Sequence, residues 1–525
     1  MRDSVLGRGI PGFPALVLAV WVATVAMPAL EAGAQGRGGE LVVGTQADVT
    51  TLDPHFTGDV PSGMVQLHMY EPLLTLDRSN NRVPGLAESW SWSPDGLSLT
   101  LKLRGGVAFH DGTPFDAAAV KANFDRMMDP EAKSLARSLF ATVSKVETPD
   151  GRTVVLRLKE PTGALLANLA SNRAAMISPE AIRKHGKDLA RNVVGTGPFV
   201  LEEWRPKERV AIKANEKYWG GRPKLDRIVF RPAPNTATRV AMLEAGDAAI
   251  VAPVLPQDVE RLQKNAALEV IAVHGGDNLQ MPLVTLKGPL ADKRVRQALN
   301  YAVDKAAIAR VIYRGYAKPL TDAPLAPATW GYQPVGSYYA FDRARAKALL
   351  KEAGYENGFK LAAIAPDGRY VNDRQTAESV VSYLKAVGVE VELSTFEWGT
   401  YVGKLLGARP EKVDFDAAMI SFAVGTMDAD QGMVIYRGDS WPPNGFNFSF
   451  FKNLDVDRHL ARGRSAVVPE ERLAAYRDAQ RLVMEEAPAL FLVAYQYIGA
   501  IDRKVKGAWL MPIGGIMVKD AWLEK

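Results

Sequence analysis

Cysteine is absent from this chain of 525 residues, and only six histidines are present. The first absence excludes thiolate nucleophiles and every cysteine-based zinc or iron–sulfur site. The histidines (His55, His68, His110, His185, His274 and His459) stand singly, with no i, i+4 pair and no HExxH. They therefore read as surface or supporting residues rather than metal ligands. A charge excess is missing too. Sixty-four basic residues against 59 acidic ones leave +5, and no basic run concentrates it, so nucleic-acid binding has no support. Long apolar runs are also lacking: the one from Ala15 to Met27 falls short of the ~20 residues of a spanning helix.

That run has the makings of an export leader. Arg2 and Arg8 precede it, and Ala32-Gly33-Ala34 supplies the small-residue site of a signal peptidase, which places the cut after Ala34. No cysteine follows for lipid attachment, so the expectation is an unanchored, soluble protein in the periplasm of a two-membrane cell. The mature chain, about 490 residues, is long enough to bury its cores without disulfides. Apolar content of 47% and charged content of 23% are those of an ordinary globular protein.

Strand and helix patterns alternate along the chain, which points to α/β lobes. Leu41 to Gly44 reads as a short strand. Leu97, Leu99, Leu101 and Leu103 alternate with polar residues, as do Val154, Leu156 and Leu158 after the Pro149-Asp150-Gly151 turn, suggesting antiparallel partners. A helix from about Asp116 carries Val120, Phe124 and Met127 on one face and stops at Pro130. Asp292, Asp304 and Asp342 stand where helix caps belong, with Gly354 as the last helix's stop. Leu361 to Ala365, Asp373 to Val387 and Val389 to Leu393 read as a βαβ unit entered through Gly388. No flexible linker separates the halves, so the chain is expected to cross between lobes in ordered segments, the geometry of a hinge.

Catalytic patterns are scarce. Gly195-Thr196-Gly197-Pro198 lacks the Lys-Ser/Thr of a phosphate loop, and Pro198 removes a backbone donor. Gly438-Asp439-Ser440 has no second glycine where a nucleophile elbow needs one. No enzymatic activity and no cofactor are expected.

A series of stretches then carries a resemblance. Leu52-Asp53-Pro54, Tyr70-Glu71-Pro72-Leu73-Leu74, Leu86-Ala87-Glu88-Ser89-Trp90 and the run Leu103 to Gly112 come first. Gly195-Thr196-Gly197-Pro198-Phe199, Asn215-Glu216-Lys217-Tyr218-Trp219, Val295 to Ala302 and Leu349 to Tyr355 follow in order. Together they resemble the extracellular solute-binding proteins of ABC importers, in the group that takes dipeptides, oligopeptides, glutathione and nickel. The resemblance implies a two-lobed periplasmic-binding-protein (type II) α/β fold with an extra subdomain in the first lobe. It divides the chain into a leader (1–34), a first-lobe base (35–75, 196–272 and 492–525), its subdomain (76–195) and a second lobe (273–491). It also implies a monomer that closes on a small solute and delivers it to a permease and ATPase. Asp116 to Asn123, Ala175 to Pro179 and Trp441-Pro442-Pro443 read like the glutathione carriers, and Phe396-Glu397-Trp398-Gly399 with Tyr401 like the dipeptide carriers.

Arg369 follows the Leu361 to Ala365 strand where the dipeptide carriers place a carboxylate-binding arginine; an ion pair or a solvated position is its alternative. In the run Phe422-Ala423-Val424-Gly425, Gly425 replaces the aspartate that holds a peptide's amine, and Val284 replaces an asparagine. Thr426 follows in the same loop, and Asp428 is a candidate substitute for the aspartate or else a cap. Gln46, Ala47 and Asp48 after the first strand are expected across the cleft, with Trp398 and Tyr401 as stacking lids or core residues. An opine, sugar or nickel chelate is the alternative to a peptide-like solute, and a ligand sensor the alternative to an importer.

Overall fold

A computed structural model describes residues 38–422 and 425–524. The expected leader and its cut lie outside the described residues, as do Ala423 and Val424. Among the described residues no helix is long and apolar enough to cross a membrane.

One strand ties the molecule together. Ala489–Asp502 is an almost unbroken apolar run, buried along most of its length, as a strand covered on both faces must be. Its second half pairs antiparallel with Leu268–His274, and its first half with Asn278–Pro282. The chain thus passes between lobes twice in adjacent positions, at 274–278 and around 493–496. On the first-lobe side the sheet continues through Ile250–Ala252 to Glu40–Thr45, which lies parallel to both Ile250–Ala252 and Arg227–Pro232.

A four-stranded antiparallel sheet, in the order Ala87–Trp92, Ser98–Leu103, Thr153–Leu158, Val143–Asp150, forms the subdomain. The helix Ala117–Met128 covers it, capped by Asp116 through the Ala119 amide at 2.9 Å. The alternating leucines do pair with Val154 to Leu158, yet the Asp150–Gly151 turn joins the latter to Val143–Asp150, a strand without clean alternation. In the second lobe, Phe359–Pro366 and Val389–Phe396 run parallel in full register, with Asp373–Lys385 as their crossover helix. Asp292, Asp304 and Asp342 each accept an amide hydrogen at a helix start, as their positions predict.

The hydrophobic interior falls into separate cores. Leu41, Phe199, Ile212, Ile228 and Phe230 anchor one, Leu99, Leu101, Phe124 and Leu156 another, and Leu299, Leu349, Leu361 and Leu492 a third. Ala175, Ile177, Ala181 and Leu189 pack into the first of these rather than against the four-stranded sheet.

The glycines of Gly195-Thr196-Gly197 owe their place to packing. A Cβ at Gly195 would stand 2.1 Å from the Met69 carbonyl oxygen, and one at Gly197 2.6 Å from the Met69 carbonyl carbon. Thr196 between them donates to Glu71 at 2.9 Å, as do Tyr218 Oη (2.6 Å) and Trp219 Nε1 (2.8 Å). Three stretches of the sequence therefore converge on one half-buried carboxylate.

Candidate functional site

Two adjoining chambers lie where the lobes face each other. The first encloses about 250 Å³. Thr57 to Val60, Gly63, Leu139 and Ser171 to Arg173 form one bank, with Pro512 and Ile513. Gly276 and Asp277 come from the crossing segment, and Gly425, Thr426 and Gln431 from the second lobe. The second chamber encloses about 150 Å³ and shares Ser171, Asn172, Gly425, Pro512 and Ile513 with the first. Its remaining walls include Tyr70, Glu71, Asn80, Trp219, Met427, Trp509 and Lys519. A larger groove of about 620 Å³ runs past Pro161, Arg437 and Arg464. Two of its arginines are already paired, Arg437 with Asp439 at 2.6 Å and Arg464 with Asp430 at 3.0 Å, and neither the crossing segment nor Gly425 lines it.

Local chemistry fixes each wall of the first chamber. Asp59 caps the helix Val60–Gln66, accepting from the Ser62 amide at 2.8 Å, and this presents Thr57 and Gly58 to the cavity. Thr57 donates to Gln66 at 2.7 Å. Arg173 stands in the turn Asn172–Ala174, and its Nε donates to the Thr57 carbonyl at 2.7 Å. No carboxylate comes within ion-pair distance of it among the described residues, and burial pulls its pKa below the ordinary arginine value. Asp277 is 5% exposed. It accepts from Ser421 Oγ at 3.0 Å and from the Tyr497 phenol. Burial raises its pKa; the Tyr497, Ser421 and Tyr495 hydroxyls and the charge of Arg369 oppose that rise. Gln431 Oε1 accepts from the Thr426 amide at 2.8 Å and its hydroxyl at 3.0 Å, which pins the loop after Gly425.

Of the residues expected at the site, Gly425 and Thr426 line the first chamber, and Gly425 the second as well. Gln46, Ala47 and Asp48 line neither: Gln46 is exposed, and Asp48 accepts the Lys207 amide at 2.7 Å. The strand end they follow opens onto a turn rather than onto the cavity.

Asp428 is spoken for. It is 1% exposed and caps Ala429–Gly432 through the Asp430 amide. It also pairs with Arg82 of the first lobe at 2.8 Å and with Arg472 of the second at 2.7 Å. The Trp330 ring lies 5.0 Å from Arg82 and 4.5 Å from Arg472, so the cluster clasps one lobe to the other.

Tyr401 is wholly buried and donates to the Met419 carbonyl, which makes it a core residue and corrects its expected role as a lid. Trp398 is half-buried and stacks on Tyr401. Arg369 is exposed and lies over Trp398 at 4.9 Å, beside the cavity rather than in its wall. Val284 is buried against Ile364 and Tyr401, so its apolar character reflects packing and not a change in the cleft. Thr57, Asp59, Asn172, Arg173, Asp277 and Gln431 were not foreseen. The only local hint was Gly275-Gly276 interrupting a strand pattern just before Asp277.

The model of the bacterial extracellular solute-binding proteins, family 5 (middle region) matches residues 81–444. The glutathione-binding protein GsiB of Escherichia coli (strain K12) is 33% identical over 514 residues, covering 97% of this chain and 98% of that one. Among solved structures, the periplasmic binding protein DppA of Helicobacter pylori in complex with the peptide STSA superposes with a TM-score of 0.76. Its sequence is 28% identical, and the match covers 93% of this chain and 99% of that one. AgaA of A. tumefaciens R10 in complex with agropinic acid is 27% identical with a TM-score of 0.75, over 93% and 99% of the two chains.

Proposed function

The chain belongs to family 5 of the bacterial extracellular solute-binding proteins, and on that footing we propose that it captures a peptide-like solute around Gly425. It is the substrate-binding component of an ABC importer and not an enzyme. The solute class we favour is glutathione or a dipeptide, in keeping with what GsiB and DppA are named for. The observation that carries this reading is the cavity itself: both lobes and the crossing segment contribute walls, so closure and solute burial are one event. Solute that binds both banks stabilises the closed form in proportion to its preference for that form, and the permease reads the resulting population.

The lobe division at 35–75, 196–272 and 492–525, 76–195, and 273–491 remains our assignment. The separate cores support it, except that 175–193, assigned to the subdomain, packs on the base. Export on the leader 1–34, release after Ala34, unanchored residence in the periplasm and a monomeric state complete the proposal. N-terminal sequencing of the exported protein tests the cut. An opine is the second reading, favoured by the likeness to AgaA and by the missing carboxylate at Gly425.

A thermal-shift screen with glutathione and a dipeptide panel tests the solute class. A true ligand at 100-fold its Kd adds about 2.7 kcal/mol to stability. A flat response across the panel, with a shift from an opine, transfers the assignment to the second reading.

A further inference from the structure

We propose that Asp277 and Arg173 are the cavity's two charged grips, Asp277 taking the solute's ammonium group and Arg173 a carboxylate. This rests on the reading that the cavity between the lobes holds the transported solute.

Three charged residues line the first chamber: Asp59, Arg173 and Asp277. Asp59 is occupied, capping a helix and accepting from Thr50. None of the three has a counter-charge within ion-pair distance among the described residues, and of the two acids only Asp277 is sealed from solvent. An ionised carboxylate offers about four acceptor positions. Asp277 takes hydrogens from the hydroxyls of Ser421 and Tyr497, with the Tyr495 phenol as a further neighbouring donor, and no cation of the described residues lies within ion-pair distance. Arg173 commits Nε to the Thr57 carbonyl, and its terminal nitrogens have no acceptor among the described residues.

Buried charge without a partner is costly, and a pair of opposite sign on one small cavity is answered together by a zwitterion. Arg173 comes from the first lobe, while Asp277 sits on the crossing segment and is tied to Ser421 of the second lobe. A solute that bridges them spans the hinge. Asp277 also supplies, in the cavity that Gly425 lines, the acid that Gly425 itself lacks. The burial that raises the Asp277 pKa is relieved by an incoming ammonium, which favours the ionised form.

Calorimetric titration tests the assignment on both sides of the contact. Wild-type protein is expected to bind glutathione at least about tenfold more tightly than either N-acetylglutathione or glutathione diester. Asp277→Asn is expected to lose about tenfold against glutathione and nothing against the acetylated probe; Arg173→Gln loses likewise, except against the diester. Equal binding of blocked and free probes by wild-type protein overturns the assignment even if a variant fails to fold. So does an Asp277→Asn protein that binds glutathione normally. If glutathione and all dipeptides fail, the same variants are titrated with single amino acids and with octopine, a secondary-amine dicarboxylate. Binding that depends on Asp277 and Arg173 keeps the pair and discards the peptide reading. Failure of every zwitterion with the wild-type protein discards the pair.

Discussion

Asp428 and Asp277 are both acids of the interior, 1% and 5% exposed. Asp428 is gripped by Arg82 and Arg472, with Trp330 beside both guanidinium groups. Asp277 receives only hydroxyl hydrogens. A buried carboxylate whose charge is fully answered inside the protein belongs to the frame. One left to neutral donors in a cavity wall keeps its charge for something that arrives. The burial of an acid therefore says little about its role until its partners are counted.

The sharpest way to break this contrast is to remove each acid in turn. Asp428→Ala leaves Arg472, whose side chain is 7% exposed, without its counter-charge. A loss of about 3–5 kcal/mol in unfolding free energy is expected, because the stranded cation keeps its desolvation penalty. Asp277→Asn removes a group that burial already disfavours in its charged form, and the ligand-free protein is expected to change by about 1 kcal/mol or less. Chemical denaturation of both variants without solute measures the difference. If Asp277→Asn is as damaging as Asp428→Ala, both acids are framework and the contrast fails.

Acidification sharpens the comparison from another direction. His55 and His68 are wholly buried in the first lobe, and burial holds both pKa values down to about 4 from 6.5. The neighbouring charges are Arg126 and Asp53 for His55, and Lys519 for His68. Between those values the unfolded chain takes up protons that the folded protein refuses. Stability is therefore intact above 6.5 and falls as the pH drops towards 4, by about 3 kcal/mol for each histidine. Asp277 has the opposite sign. Its raised pKa contributes stability that is present below 3.8 and lost as the pH rises through the folded value. Melting curves across this range should show the histidine loss in wild type and Asp277→Asn alike, with Asp277→Asn falling slightly further at the acid end.

Much of the frame was legible in the sequence because its causes are local. Asp292, Asp304 and Asp342 cap helices through amides two or three residues away, and leucine alternation from 97 to 103 defines a strand within its own span. The site was harder because its causes are not local. Asp428 could be read as a cap, but the arginine that settles its role, Arg82, is 346 residues distant. Trp398 and Tyr401 sit three residues apart on one helix, and nothing in their spacing says that one is half-buried and the other sealed. Gly425 was found through its departure from a family pattern. Asp277, in the same cavity, lies in a crossing segment whose position depends on a strand more than 200 residues later.

Trp398 and Arg369 supply the last and smallest test of the contrast. Arg369 is a cation beside the cavity whose charge reaches Asp277, yet it rests on the Trp398 ring at 4.9 Å and on Tyr370 at 5.5 Å. Such exposed cation–π contacts contribute about 0.5–1 kcal/mol each. Trp398→Leu is thus expected to lower stability by about 1 kcal/mol or less and to shift solute affinity by less than about threefold, since the ring lines neither chamber. Denaturation and titration of this variant weigh the two effects separately. An affinity loss far larger than the stability loss means that Trp398 holds Arg369 against the solute. The cavity would then hold a second cation beside Arg173, and the solute would need a second carboxylate to answer both.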